Sequence, residues 1–380
     1  MKKVASFVMA LALVAAFFGA AAPTSHAQDA EYNVALIISQ GGLGDRSFND
    51  SGYEGLNKAA EDFGVNVVPI ESADPVAEGE QLLRTAAESG FDLVITLEYS
   101  HAEVLDRIAG DYPDTMFAIL NNVSDQPNVV SIMYQEHTAS YMAGALAAMV
   151  TTDDTIEQTN DEAVIGAIGG VQSSGIDIFL WGYLQGACSV NPDIQVLFGY
   201  SNSFGDPDKG REMTVAMNEE GADVVFGVAG GTGSGIIEAA KEGNFFAIGV
   251  DSDQDYLAPG NVLTSVLKRA DTGVYDTIRR LVDGEIEGGI VYYGLPDGVG
   301  LSPMEYTKDI IPAEYLDEVA AIEQQIIDGE LTVIDTRQIS ADEVTILNEN
   351  PTCAGLAELQ SVLAEAPAAD ATAEATAEAS

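Results

Sequence analysis

The sequence predicts an α/β protein made of two doubly wound lobes, and three observations carry that prediction. Short β-rich runs alternate with helical patterns from residue 31 to residue 345. The β-rich runs are apolar almost without a break, as parallel strands are when helices cover both faces of their sheet. The alternation comes as two successive series, each long enough for a sheet of its own.

In the first series "YNVALIIS" precedes a helix expected from about Ser51, where Ser51 and Glu54 have the spacing of a capping box. "VNVVPIE" leads into "VAEGEQLLRTAAESG", "FDLVITLE" into "HAEVLDRIAGDYP", and "MFAILNN" and "VVSIMY" follow. The second series opens with "EAVIGAIGG" and "FLWGYLQGACSVNP". It continues through "IQVLFGYSN", "DKGREMTVAMNEEG", "ADVVFGVAGG", "GSGIIEAAKEG", "FFAIGVDSD" and "NVLTSVLK". In doubly wound sheets a ligand binds beyond the carboxyl ends of the strands. With two lobes, the expected site is the cleft between those facing edges.

The ends of the chain are read separately. Lys2 and Lys3, the apolar run "VASFVMALALVAAFFGAAA" and Ser25-His26-Ala27 have the form of an export signal, residues 1–27, with the mature chain starting near Gln28. An uncleaved membrane anchor is the alternative, and no cysteine ends the apolar run as a lipid-anchor signal requires. No other segment offers the ~20 consecutive apolar residues of a membrane span. "AEAPAADATAEATAEAS" from Ala364 is acidic, low in complexity and expected to be disordered over 364–380.

Charge excludes whole function classes. The chain holds 61 acidic and 15 basic residues, a net charge of −46 that becomes −48 once Lys2 and Lys3 leave with the signal. Such a surface repels nucleic acid, so no nucleic-acid partner is expected. An anionic solute would need a local positive pocket, whereas a neutral one would not. Three histidines, one of them within the signal, and two cysteines without a CxxC partner give no metal cluster, and no cofactor is expected. Export permits a disulfide between Cys188 and Cys353, which spacing alone does not decide.

Several strand ends carry residues suited to ligand contact. Phe48 and Asn49 in "GGLGDRSFND" lie just past the first strand, and Phe204 in "SNSFGDP" follows another. Two phenylalanines from opposite lobes can clamp a flat ring, each face worth on the order of 1 kcal/mol. Asn49 offers a donor and an acceptor to a ring edge. Asp251 ends "FFAIGV", where a carboxylate can take the two hydroxyls of a sugar diol or simply be a solvated acid. Lys268 ends "VLTSVLK", free to donate to a ribose, to pair with Asp251 or to lie on the surface. Phe179, in "IFLWGYLQG", has the helical spacing of a core residue.

The glycine loops do not bind nucleotide phosphates. Gly42-x-Gly44 meets Ser47 where a dinucleotide fingerprint needs glycine or alanine, and "AGGTGSG" at 229–235 lacks both that spacing and a following Gly-Lys-Ser/Thr. "DSDQD" at 251–255 would need glycine at Tyr256 and glutamate at Val262 to be a calcium loop. No nucleophile with its base and no isolated pair of acids marks a hydrolase.

Taken in order, seven blocks resemble the basic membrane protein family of ABC-transporter substrate-binding proteins, the purine-nucleoside-receptor-like group. They are "GGLGDRSFND", "EHTASYMAGALAAMVT", "IGAIGG", "NPDIQVLFGYSNSFGDPDKG", "GADVVFGVAGGTGSGIIEAAKEG", "IGVDSDQ" and "VLTSVLK", within about Val34 to Gly300. The resemblance implies a type I periplasmic-binding-protein fold whose two Rossmann-like lobes close by a hinge on a nucleoside. It implies a base sandwiched by Phe48 and Phe204 and read by Asn49, with ribose contacts from Gly231, Asp251 and Lys268. Two positions depart from the family pattern: Ser39 and Asn121 stand where many relatives have aspartate, which bears on ribose binding and on base choice respectively. The implied lobes are 31–130 with 268–296 and 131–267 with 297–345, followed by an extension over 346–363.

The expected protein is a monomeric, exported receptor that delivers a nucleoside to an ABC permease, touches the membrane only through that permease or an uncleaved anchor, and has no catalysis of its own. A sugar or other small-solute receptor serving a signalling partner is the first rival, and a nucleoside hydrolase the second.

Overall fold

Apolar strands alternate with helices through most of the chain, and this repeated unit builds two sheets of mainly parallel strands. The computed structural model describes residues 32–365. The expected signal lies outside them, as does the expected tail beyond Glu365; Ala364 and Glu365 close the last helix.

In chain order the first half runs β1 (Asn33–Ile37), α1 (Phe48–Phe63), β2 (Asn66–Ile70), α2 (Gly79–Glu88), β3 (Leu93–Thr96), α3 (Ala102–Ile108), β4 (Met116–Leu120) and β5 (Val129–Tyr134). Helix α4 (Glu136–Thr151) leads to the second half: β6 (Val164–Gly169), α5 (Ser174–Val190), β7 (Gln195–Tyr200), α6 (Pro207–Glu219), β8 (Val224–Val228), α7 (Gly233–Gly243), β9 (Phe246–Asp251) and β10 (Val262–Lys268). Then come α8 (Ala270–Asp283), β11 (Gly289–Tyr293), β12 (Val299–Leu301), α9 (Ala313–Ile327), α10 (Ala341–Glu349) and α11 (Cys353–Glu365).

The first sheet has the order β11-β5-β4-β3-β1-β2 and is parallel throughout. The second has the order β12-β10-β9-β8-β6-β7, with only β12 antiparallel. Both therefore change direction of winding at the same step, between β1 and β3 in one and between β6 and β8 in the other. A crevice opens beyond the strand ends at such switch points.

Three links carry the chain between the sheets, at Gln135, Arg269 and Gly294–Gly298. They are bound to one another: Gln135 donates its N–H to the Tyr293 carbonyl at 2.9 Å, and Arg269 to that of Gly298 at 2.9 Å. The Tyr134 hydroxyl donates to the Arg269 carbonyl at 3.0 Å, and its ring stacks on Tyr293 with centroids 5.4 Å apart.

Helices α4 and α5 are almost wholly buried and pack backbone to backbone. A Cβ on Gly144 would lie 2.0 Å from the Tyr183 carbonyl oxygen, and one on Gly186 would lie 1.9 Å from that of Tyr141, so only glycine fits at either crossing point. The expected α1 boundary is corrected. The helix starts at Phe48 with Ser47 as N-cap, and the Ser51 hydroxyl accepts the Asp271 N–H at 3.2 Å instead of capping. Cys188 and Cys353 form a disulfide that pins α11 to α5. No helix among the described residues is long and apolar enough to cross a membrane.

Candidate functional site

The loop after β1 owes its shape to two carboxylates. Asp45 accepts the backbone N–H groups of Ser47, Asn49 and Asp50 at 2.9, 2.9 and 3.1 Å, supplying the helix-end partners that Ser47 does not. Asp50 returns the contact, accepting the N–H of Gly44 and of Arg46 at 2.8 Å each. Burial raises the Asp45 carboxyl, and the three N–H groups oppose that rise. The result is a rigid corner that places Phe48 and Asn49 at the first turn of α1, where they wall a cavity between the two sheets.

Ser39, Gln40 and Glu98 hold the floor on the side of the first sheet. The Asn49 Oδ1 accepts both the N–H and the hydroxyl of Ser39 at 2.9 Å, and its amide donates to the Gln40 carbonyl at 3.2 Å. Glu98 is buried and takes the Gln40 backbone and side-chain N–H groups at 3.3 and 3.4 Å. Asn121, at the end of β4, has a left-handed backbone with φ of 68° and also lines the cavity. Among the described residues its buried Oδ1 has no hydrogen-bond partner.

From the second sheet come Phe204 after β7, Gly230 after β8, Asp251 at the end of β9 and Lys268 at the end of β10. Gly230 replaces Gly231 in the wall. With φ of 53° at Gly230 the chain turns, and Gly231 lies behind it against the Phe204 carbonyl and Asp45. Phe179 is the core residue its spacing predicts, buried in the main apolar core, and it also lines the cavity.

Asp251 accepts the Ser47 hydroxyl at 2.5 Å, and the Gln254 amide donates to the Arg46 carbonyl at 2.9 Å, so the two sheets are bonded directly across the cleft. Burial pushes the Asp251 carboxyl up to about 6, against the opposing pull of nearby Lys268. Lys268 is only 2% exposed, and its ion pair is with Glu136 at 2.8 Å, so of the three readings the sequence left open the surface position and the Asp251 pair give way. Its ammonium also stands over three rings, 5.2 Å from the centroid of Phe48, 5.3 Å from Tyr134 and 5.4 Å from Phe179.

The cavity thus brings together Ser39, Phe48, Asn49, Asn121, Phe204, Asp251 and Lys268, leaving Gly231 just outside. Sequence reading missed Asp45, Glu98 and Glu136 as parts of the site. Glu98 had a visible signal, since it ends the run "FDLVITLE" as Asp251 ends "FFAIGVD". Among the described residues no group of histidine, cysteine, aspartate and glutamate could hold a metal ion. The arrangement has two flat apolar faces, polar groups between them and three acids against one lysine, which suits an uncharged ligand with a ring and hydroxyls.

Comparison with known proteins gives the family. The family described as "ABC transporter substrate-binding protein PnrA-like" matches residues 32–337. The chain belongs to that family. This substrate-binding protein is 35% identical to the CD4+ T-cell-stimulating antigen of Listeria monocytogenes, over 80% of this chain and 88% of that protein. It is 34% identical to the ABC transporter nucleoside-binding protein BmpA of Lactococcus lactis, over 88% of this chain and 99% of that one. Among solved structures, a solute-binding protein of an ABC transporter system from Aeropyrum pernix superposes with a TM-score of 0.78 at 29% identity, covering 86% of this chain and 99% of its own. The type I periplasmic-binding fold expected from the sequence is therefore the fold of the protein. Membership also makes it a binding protein, not an enzyme, which works with a permease outside the cytoplasm at the cell envelope.

Proposed function

We propose that this substrate-binding protein captures a purine nucleoside in the cleft between its sheets and presents it to an ABC importer. The observation that carries the reading is the pairing of Phe48 and Phe204, which come from opposite sheets and wall one cavity together with Asp251 and Lys268. A base stacks between the two rings. The ribose hydroxyls donate to Asp251 and accept from Lys268. Asn49 keeps one amide hydrogen on Gln40 and turns the other to an acceptor on the base edge. Asn121, whose carbonyl oxygen lacks a donor, takes one from the base.

Charge narrows the class further. Asp45, Glu98 and Asp251 face the cavity with only Lys268 against them, so a phosphate would be repelled and a nucleoside is favoured over a nucleotide. Capture works by closure. The expected lobe boundaries at 130 and 268 move out of β5 and β10 to the links at Gln135 and Arg269; the lobes turn about these two and Gly294–Gly298, and a ligand touching both lobes stabilises the closed form that the permease recognises. The relative named for nucleoside binding supports this choice of ligand.

Calorimetric titration of refolded, ligand-stripped mature protein with inosine, guanosine, adenosine, cytidine, ribose and inosine monophosphate tests the reading. Saturable heat from a purine nucleoside, with affinity for the monophosphate at least about tenfold lower, is the expected result. Heat from ribose alone would replace the nucleoside by a sugar. Silence from the whole panel would mean that this cleft takes another solute.

A further inference from the structure

Beneath the cleft lies a buried row of alternating charge that ligand contact alone does not explain. Lys268 pairs with one oxygen of Glu136 at 2.8 Å, and Arg337 pairs with the other at 3.0 Å. Arg337 also pairs with Asp335 at 3.3 Å and donates to the Tyr134 carbonyl at 2.5 Å. Glu136 is fully buried, and charged groups in such surroundings persist only when paired.

The members of this row come from separate parts of the fold. Lys268 ends β10 of the second sheet, and Glu136 opens α4 immediately after the link that leaves β5. Arg337 belongs to the segment between α9 and α10, which is fastened to α5 where Gln185 and Ile334 exchange two hydrogen bonds of 3.1 and 2.8 Å. The Arg337 side chain thus ties a fourth piece of chain to the first of the three links, at Tyr134 and Glu136 on either side of Gln135.

We propose that Glu136 and Arg337 are a positioning pair that fixes the Lys268 ammonium at the cleft, so that the segment after α9 takes part in ligand capture without touching the ligand. A lysine ammonium sits on a flexible stem and carries three donors. The Glu136 charge holds the ammonium from one side, and it stands over the rings of Tyr134 and Phe179, with its donors left for the cavity. Arg337 shares the charge of Glu136. Without it the carboxylate has a single cationic partner and draws Lys268 out of the cavity. The inference rests on the proposed role of Lys268 as a ribose donor.

A double-mutant cycle read by inosine titration of the full mature chain tests it. Arg337→Met is expected to weaken binding about tenfold in the wild-type background and less than about twofold in the Lys268→Met background, because both changes act through one ammonium. Equal losses in the two backgrounds, or no loss, would overturn the pair. Arg337→Lys keeps the buried charge and the fold, and is expected to bind within about threefold of wild type. A tenfold loss there would show that charge sharing with Glu136 is not what matters. The nitrogen resonance of the Lys268 ammonium in the ligand-free protein, assigned by its disappearance in Lys268→Met, gives a readout that needs no ligand. It should move in Glu136→Gln and Arg337→Met, and a resonance unmoved in both overturns the proposal. If the wild type binds no nucleoside, the nucleoside reading falls and this resonance still decides the positioning role.

Discussion

At the scale of the residue, Asp251 ties two opposite pH effects to one carboxyl. Burial raises it to about 6, so in the ligand-free protein the folded state holds its proton more tightly than the unfolded chain, whose value is about 3.9. A raised carboxyl contributes stability that is fully present below about pH 4 and is lost as pH rises through about 6. Asp223 and Asp255 are raised to about 6 by burial as well, while burial lowers His101 and His137 and opposes the trend; with three raised carboxyls against two lowered imidazoles, the melting temperature of ligand-free protein should rise from pH 7 to pH 5. Asp251→Asn should flatten that rise by one proton's share. Nucleoside affinity should move the other way, falling below about pH 6 as Asp251 ceases to accept two hydroxyls; titrations at pH 5, 6 and 7 would show it. The two phenylalanines carry a separate expectation. Phe48→Ala and Phe204→Ala should each weaken nucleoside binding roughly 5- to 150-fold by calorimetry, the range of one stacking face at ~1–3 kcal/mol, with ribose affinity far less affected.

At the scale of the element, the disulfide between α5 and α11 closes a loop spanning 165 residues. Reduction, or Cys188→Ser with Cys353→Ser, should lower unfolding stability by about 2–4 kcal/mol in denaturant titration. Neither cysteine lines the cleft, so nucleoside affinity should stay within about twofold. How much of this was legible from sequence depended on the range of the interaction. The alternation of apolar runs and helical patterns located both sheets, because burial on two faces leaves its mark on every strand. Strand-end positions located Phe48, Phe204, Asp251 and Lys268, because a parallel sheet puts all its carboxyl ends on one side. The start of α1 was misplaced, since Asp45 caps the helix from outside it and supplies what the Ser51–Glu54 spacing imitated. The disulfide stayed open, because no local pattern reports which surfaces α5 and α11 share.

At the scale of the whole molecule, the least legible feature was the buried row from Lys268 through Glu136 to Arg337. Its members are up to 201 positions apart in sequence, and each is an ordinary charged residue until the fold removes water from around it. Gly231 likewise yielded its place to Gly230 through a single left-handed turn. What the assembled molecule provides is a cavity between two switch points, bonded across by Ser47 to Asp251 and by Gln254 to Arg46. The most direct test is a crystal structure of the mature protein grown with the tightest-binding nucleoside of the panel. Density for a base is expected between the rings of Phe48 and Phe204, with ribose hydroxyls on Asp251 and Lys268. A nucleoside bound outside this cleft, or a cleft occupied by a solute that leaves the two phenylalanines unstacked, would contradict it.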